Sequence, residues 1–462
     1  MFVDEASAER LCFSRSITGL RQDSGHASSN VQRKRRCSWR LLLVDLGVNW
    51  HNAKLHHEDE FCPKAMTQTD DSVVSPLPEG SMIGLVGGGQ LGMFFTQAAQ
   101  RLGYQVCCFC NRDDEPAASF ADALVCGSFT DSSAIESLIA KCAAVTYEFE
   151  SIPAETLAAI DQKVALMPSL AVVQTTQNRS FEKTFLRKHN IPTADFSFVE
   201  TFEDLVDGLK TLNSAAVLKT ACDGYDGKGQ WKLQGSEATN ELEQVWVEVA
   251  DRKCTLERLI DLDFEVSMIV AGDQHGTIET IGPVHNQHVN HILDTSWIDH
   301  SVDEAVASEI RKIAIDIAQH FKLVGTLCVE FFVSKDGQIL VNEIAPRPHN
   351  SGHLTIDSFS LSQFDLQALA VCGHKLTEPV ELEPAVMVNL LGDLWTDGDP
   401  AFESAAETLD CDVFLHLYGK KEARPGRKMG HATIVAPTQA LAIENSKRYR
   451  DLIRQRQATN NV

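Results

Sequence analysis

Several short stretches carry residue types that do chemistry only in combination. Lys219 is followed by Gly224-Tyr225-Asp226-Gly227-Lys228-Gly229-Gln230, a glycine-rich run with a lysine inside it and another shortly before. Mobile backbone donors beside two ammonium groups suit a triphosphate, whose charge has to be neutralised for phosphoryl transfer. A plain hairpin connection explains the glycines but not the lysines. Further on, Asp336-Gly337 is a two-residue hairpin signal between the apolar runs Thr326–Ser334 and Gln338–Ile344. That turn places Lys335 opposite Gln338, Ser334 opposite Ile339, Phe332 opposite Val341 and Glu330 opposite Glu343. Two opposed carboxylates with Cβ atoms ~5 Å apart destabilise a sheet unless something offsets them. Among Val329, Phe331, Phe332 and Val341 a divalent cation does so, and hard oxygen ligands suit magnesium bridging to phosphate.

Three further motifs fit the same chemistry. In the run Asn342–His353, Pro346 and Pro348 fix a bend after Glu343, so that Arg347 is placed to clamp an oxyanion and His349 to move a proton. Gly87-x-Gly89-x-x-Gly92, between a strand and a helix, fits a phosphate on backbone N–H groups. A dinucleotide site would want an acid closing the second strand, and Asp113 and Asp114 come a few residues late for it. Lys420, Lys421, Arg424, Arg427 and Lys428 cluster around Pro425-Gly426 and suit either a phosphate monoester or a solvated turn. No Ser-His-Asp or Cys-His arrangement has comparable support. Together the motifs describe an ATP-dependent ligase.

The elements that position them follow from periodicity. Apolar strands at Met82–Val86, Gln105–Cys110 and Ala143–Phe149 alternate with helices, as in a parallel doubly wound sheet. Ala216–Thr220 and Gln230–Leu233 flank the glycine loop, and Thr255–Ile260 and Phe264–Val270 continue in an antiparallel style. Val306, Ile310, Ile313, Ile317 and Phe321 mark one face of a helix. Ala385–Leu391 opens a C-terminal unit.

Composition sets the outer limits. The 462 residues predict several domains, and 64 acidic against 41 basic side chains argue against a nucleic-acid partner. No apolar run reaches the ~18 residues of a membrane span. The 13 cysteines scatter, and the one close group, Cys107-Cys108-Phe109-Cys110, lies in a strand-like apolar run, which suits reduced thiols and a cytoplasmic location. Residues 1–80 hold 10 basic and 11 acidic side chains, so nearly all the negative balance lies beyond them. They show no sustained period and read as a poorly ordered extension, a targeting segment, or sequence upstream of a start near Met66 or Met82.

From about Met82 to about residue 450 the chain resembles the N5-carboxyaminoimidazole ribonucleotide synthases of purine biosynthesis, in the ATP-grasp superfamily. The resemblance rests on Gly87–Gly92, Tyr147-Glu148-Phe149-Glu150, Gly224–Gln230, Asn342–His353 and Tyr418–His431. It implies an α/β and α+β multidomain fold: a doubly wound pre-ATP-grasp domain over 81–178, an ATP-grasp domain over 179–380 with a lid at about 190–262, and a small C-terminal domain over 381–462. It implies ATP- and magnesium-dependent carboxylation of 5-aminoimidazole ribonucleotide by bicarbonate through carboxyphosphate, in a homodimer. Arg179, Lys219, Gly224, Tyr225, Asp226, Gly227, Lys228, Gly229, Gln230, Glu257, Arg258, Leu259, Ile260, Glu265, His288, Asn342 and Glu343 would contact ATP, with metal on Glu330 and Glu343. Arg347 and His349, with Tyr225 and Lys228 close by, would hold bicarbonate or carboxyphosphate. Gly89, Gln90, Leu91, Glu148, Lys420, Lys421, Arg424 and Arg427 would bind the ribonucleotide. His291 stands where the family commonly has glycine, which a positive φ would strain. Rival readings are another ATP-grasp carboxylase or formyltransferase, a dehydrogenase resting on the glycine loop alone, and a nucleotide-binding regulator with a dead site.

Overall fold

The computed structural model describes residues 75–460 apart from 223, 225–227, 251 and 396–399, with the backbone alone for 456–460. Tyr225, Asp226 and Gly227, expected at the triphosphate loop, therefore lie outside the described residues, as do residues 1–74 of the extension.

Strands β1 (Met82–Val86), β2 (Gln105–Cys110), β3 (Ala123–Cys126), β4 (Ala144–Tyr147) and β5 (Ala165–Leu166) form a parallel sheet in the order β3-β2-β1-β4-β5. Ile83, Leu85, Val106 and Val145 are fully buried, as expected of parallel strands covered on both faces. The chain runs outward from β1 to β3 and then returns to β4. The C-terminal ends of β1 and β4 consequently flank the crevice where the strand order reverses, the usual ligand position in such sheets. Residues 75–80 already belong to this body: the Leu77 N–H donates to the Cys372 carbonyl at 2.9 Å, and the Tyr104 hydroxyl donates to the Leu77 carbonyl at 2.9 Å.

A second sheet has the order β6-β9-β7-β8, built from β6 (Phe196–Val199), β7 (Ala216–Thr220), β8 (Gln230–Leu233) and β9 (Cys254–Arg258). It lies within the stretch expected to be the lid. Leu205, Leu209, Leu242 and Val249 from two helices pack on its leucines, so it has its own apolar core. The third sheet has eight strands: β10 (Leu262–Gly272), β11 (Ile278–Val289), β12 (Ile292–Ile298), β13 (Gly325–Ser334), β14 (Ile339–Ala345), β15 (Ala385–Leu391), β16 (Asp412–Leu417) and β17 (Lys428–Val435). Their order is β14-β13-β10-β11-β12-β15-β17-β16. The C-terminal strands are continuous with this sheet, because Thr295, Ser296 and Trp297 of β12 pair with Val388, Met387 and Val386 of β15. The helix Glu304–Phe321 lays Ile310, Ile313 and Ile317 on its far half. Among the described residues no helix is long and apolar enough to cross a membrane, and every cysteine is a free thiol.

Two hairpins bear on the site. In β13–β14 the turn is one residue longer than Asp336-Gly337 predicts, so Val333 faces Ile339, Phe332 faces Leu340 and Phe331 faces Val341. The hydroxyl of Ser334 takes the Gln338 N–H at 2.9 Å, and the Ser334 carbonyl takes the Gly337 N–H at 2.9 Å, which widens the turn. A bulge between Glu330 and Phe331 then restores the expected pair, Glu330 opposite Glu343. The β11–β12 turn consists of Asn290 at φ 51° and His291 at φ 66°, between the pair Val289 and Ile292. Both central residues are left-handed, the turn geometry that favours Asn-Gly. Replacing His291→Gly should therefore stabilise the protein by ~1 kcal/mol in a denaturant titration, and an unchanged midpoint would show that the histidine turn carries no strain.

Candidate active site

The glycine loop closes β1, and Glu148 follows β4 in the neighbouring position. Glu148 accepts the N–H of Gly92 at 2.8 Å and that of Gly89. A Cβ at Gly89 would lie 2.5 Å from the Glu148 carboxylate, and one at Gly87, which has φ 110°, would clash with the same side chain. The glycines thus make room for a buried carboxylate on the start of the helix Gln90–Arg101, where the sequence suggested a phosphate. Burial raises the Glu148 pKa, and the two backbone donors work against that rise.

Glu257 on β9 is the electrostatic centre of the neighbouring half. Only 3% exposed, it meets Lys219 Nζ at 3.0 Å, Lys183 Nζ at 3.3 Å and Arg179 at 3.9 Å. Burial opposes its charge, but Lys183, Lys219 and Arg179 hold the carboxyl far below its ordinary range. Burial also lowers the Lys219 pKa, against the pull of Glu257. Arg179 spans from this cluster to Glu343, at 3.2 Å, and its Nε and Nη1 are buried without a hydrogen-bond partner. Nη1 faces the Glu257 carboxylate, and the residue borders both of the site's cavities.

The bulge in β14 explains how the neighbours Asn342 and Glu343 both line one cavity: an extra residue breaks the strict alternation of faces. The Asn342 amide oxygen receives Lys219 at 3.3 Å. Across the ladder, Glu330 receives His349 Nε2 at 2.9 Å, while His349 Nδ1 lies 2.8 Å from the Ser351 hydroxyl. Burial works against the charge of Glu330, but His349, with His288 and Arg347 behind it, holds its carboxyl down to about 2. Two opposed carboxylates, one of them firmly ionised, beside an amide oxygen form a donor set that fits magnesium. Arg347 is clamped by Glu150, with Nε at 2.5 Å and Nη2 at 2.9 Å, and Glu150 is held down to about 2 by this arginine despite burial.

Two cavities meet at these groups. One, about 550 Å³, is lined by Gly89, Gln90, Leu91, Glu148 and Ile152 on the parallel-sheet side. The other, about 700 Å³, is lined by Lys219, Gln230, Arg258, Leu259, Ile260, Glu265, His288 and His291. Gly224, Glu150, Arg179, Glu343, Arg347, His349 and Lys428 face both. Glu265 lies 3.0 Å from His288, and that carboxylate raises the imidazole pKa against the opposing effect of burial.

Other expected residues lie apart. Lys228 and Gly229 line neither cavity. Of the C-terminal basic stretch only Lys428 lines them. Lys421 pairs with Asp114 at 2.8 Å, Arg424 with Glu422, and Arg427 donates to the Glu422 carbonyl at 2.7 Å. Lys420 is half-buried on the Lys428 carbonyl at 2.8 Å. The residues missed from the sequence are Glu150, Glu182 and Lys183, whereas Lys428 was named there as one of the basic cluster. Each of the three had a signal: Glu148 and Glu150 at period two beyond β4, and Glu182 and Lys183 three and four residues after Arg179 on a helix.

Family models match consecutive parts of this body: the ribonucleotide synthetase preATP-grasp domain over residues 81–177, the ATP-grasp domain over 184–364, and the phosphoribosylaminoimidazole carboxylase C-terminal domain over 385–445. The N5-carboxyaminoimidazole ribonucleotide synthase of Bacillus subtilis is 37% identical over 358 residues, which is 77% of this chain and 92% of that protein. The chain belongs to the N5-carboxyaminoimidazole ribonucleotide synthase family. The bifunctional purine synthesis protein purC/E of Dictyostelium discoideum is also 37% identical, over 77% of this chain, but this chain spans only 37% of its length. A solved N5-carboxyaminoimidazole synthase from Aspergillus clavatus, in complex with ADP and 5-aminoimidazole ribonucleotide, superposes with a TM-score of 0.74 at 27% identity and covers 82% of this chain and 99% of that one.

The glycine loop thus lies in the preATP-grasp domain, with the Glu148 carboxylate on its N–H groups. The charge cluster around Glu257 is open to test. Glu257→Gln removes the one negative charge shared by three buried cations, and should cost about 3–5 kcal/mol in a urea titration. A loss under ~1 kcal/mol would mean that Glu257 does not organise the cluster.

Proposed function

We propose that the chain carboxylates 5-aminoimidazole ribonucleotide with bicarbonate, at the expense of ATP, to give N5-carboxyaminoimidazole ribonucleotide, ADP and phosphate. The observation that carries this reading is the common wall of the two cavities. Arg179, Arg347 and Lys428 stand between a nucleotide-sized space reached by Lys219 and a second space beside Glu148. A bicarbonate oxygen held there attacks the γ-phosphorus, and the bond to the ADP oxygen breaks. The exocyclic amine in the second space then attacks the carboxyl carbon of carboxyphosphate; a nitrogen–carbon bond forms, phosphate leaves and the amine loses a proton. Arg347, fixed by Glu150, and Arg179, held between Glu257 and Glu343, stabilise the oxyanions of both steps. His349 is placed to hold a proton at Nε2 against Glu330. Magnesium, when bound by Glu330, Glu343 and Asn342, would neutralise phosphate charge. Shielding matters because carboxyphosphate is easily hydrolysed. Lys228 with Tyr225 belongs to the loop that would cover the phosphates, and Glu265 with the Arg258–Ile260 backbone to the nucleoside end. A cytoplasmic homodimer belongs to the same family reading.

The decisive experiment is ADP release in the presence of magnesium. Full rate should require both bicarbonate and 5-aminoimidazole ribonucleotide, and ADP release indifferent to the ribonucleotide would reject the assignment.

Lys420 is proposed to help hold the ribonucleotide phosphate. Burial and Arg427, with Lys428 beyond, push its pKa down to about 8 against the pull of Glu148. A cation that loses its proton near there binds phosphate less well at higher pH. The KM for the ribonucleotide should therefore rise from about pH 7 to about pH 9, and Lys420→Arg, whose charge persists, should flatten the rise. A KM that climbs equally in both proteins removes Lys420 from the phosphate site.

A further inference from the structure

The helix Arg179–Lys188 presents Arg179, Glu182 and Lys183 on one face, three and four residues apart. They meet three successive residues of β14. Lys183 Nζ donates to the Asn342 carbonyl at 3.2 Å, Arg179 to the Glu343 carboxylate at 3.2 Å, and Glu182 Oε2 accepts the Ile344 N–H at 2.8 Å. β14 is the edge of the eight-stranded sheet, and the bulge at Asn342 interrupts its one ladder. An edge strand exposes backbone donors and acceptors along its outer side. Here helix side chains take those groups. Thr193 extends the pattern by one residue: its hydroxyl donates to the Val341 carbonyl at 2.7 Å and receives Lys183 Nζ at 2.7 Å.

We propose that Glu182 and Lys183 are positioning residues that stand in for a missing neighbouring strand and so fix the direction in which Asn342 and Glu343 enter the nucleotide cavity. Neither group is an economical choice for packing. Lys183 is fully buried and Glu182 is 2% exposed, and burying such charges is costly unless each finds its partner. Both do, and two of the partners are main-chain groups beside the metal-ligand candidates. With the Asn342 carbonyl and the Ile344 N–H both held, the backbone cannot turn Asn342 and Glu343 away from the cavity without breaking two hydrogen bonds.

The inference rests on the ATP-site reading above, but its test does not require carboxylation. Binding of ADP to the full-length protein is measured by calorimetry with and without magnesium, and binding of the ribonucleotide separately. Glu182→Met and Lys183→Met should weaken the magnesium-dependent part of ADP binding by about 10-fold or more while ribonucleotide affinity stays within about threefold. Glu182→Gln, whose amide oxygen still accepts the Ile344 N–H, should stay within about twofold of the parent. Parent-like magnesium dependence in Glu182→Met would overturn the proposal, as would equal damage from Glu182→Gln and Glu182→Met. Should the methionine variants not fold, Thr193→Val removes the hydroxyl that ties Lys183 to Val341 and should shift magnesium-dependent binding the same way by about threefold; no shift would also overturn it. Failure of the functional reading shows differently, as parent enzyme whose ADP release ignores the ribonucleotide.

Discussion

Charge taken out of water has to be neutralised where it sits, and this molecule arranges its site around that constraint. Glu257 is matched by Lys183, Lys219 and Arg179, Glu150 by Arg347, and Glu330 by His349. Arg179, Lys219 and Arg347, cations that an anionic substrate would need, each already have a carboxylate beside them. Binding a phosphate or bicarbonate is then an exchange of partners among groups already held in place, with little reorganisation left for the chemical step. The same pairings join the layers. Glu150 lies just beyond β4 of the parallel sheet and Arg347 in the turn after β14, so their ion pair joins the two bodies at the common wall of the cavities.

Much of this was legible in the sequence. The doubly wound sheet followed from apolar strands alternating with helices, and the glycine loop fell between β7 and β8 where its flanking strands placed it. The Glu330–Glu343 pairing held for a reason the sequence reading did not contain. The turn gained a residue by bonding to Ser334, and the bulge cancelled the slip. Neither event has a strong local signature.

What was not legible depends on tertiary partners. The pattern Gly87-x-Gly89-x-x-Gly92 looks the same whether its free N–H groups meet a phosphate or the carboxylate of Glu148, and only the position of β4 decides. β11 was missed because Gly282 and Pro283 interrupt it, and such residues argue against a strand interior. β3, four residues long, has too little periodicity to read. In the C-terminal stretch the cluster of five cations was visible, but ion pairs with Asp114 and Glu422 engage two of them, and only Lys428 reaches the cavities.

Groups on the common wall of the two cavities come from residues 150, 179, 343, 347 and 428, spread over more than half of the described chain. A cut anywhere between Glu150 and Lys428 divides the set between two fragments. The three domains thus build one site jointly, and none of them carries the wall on its own.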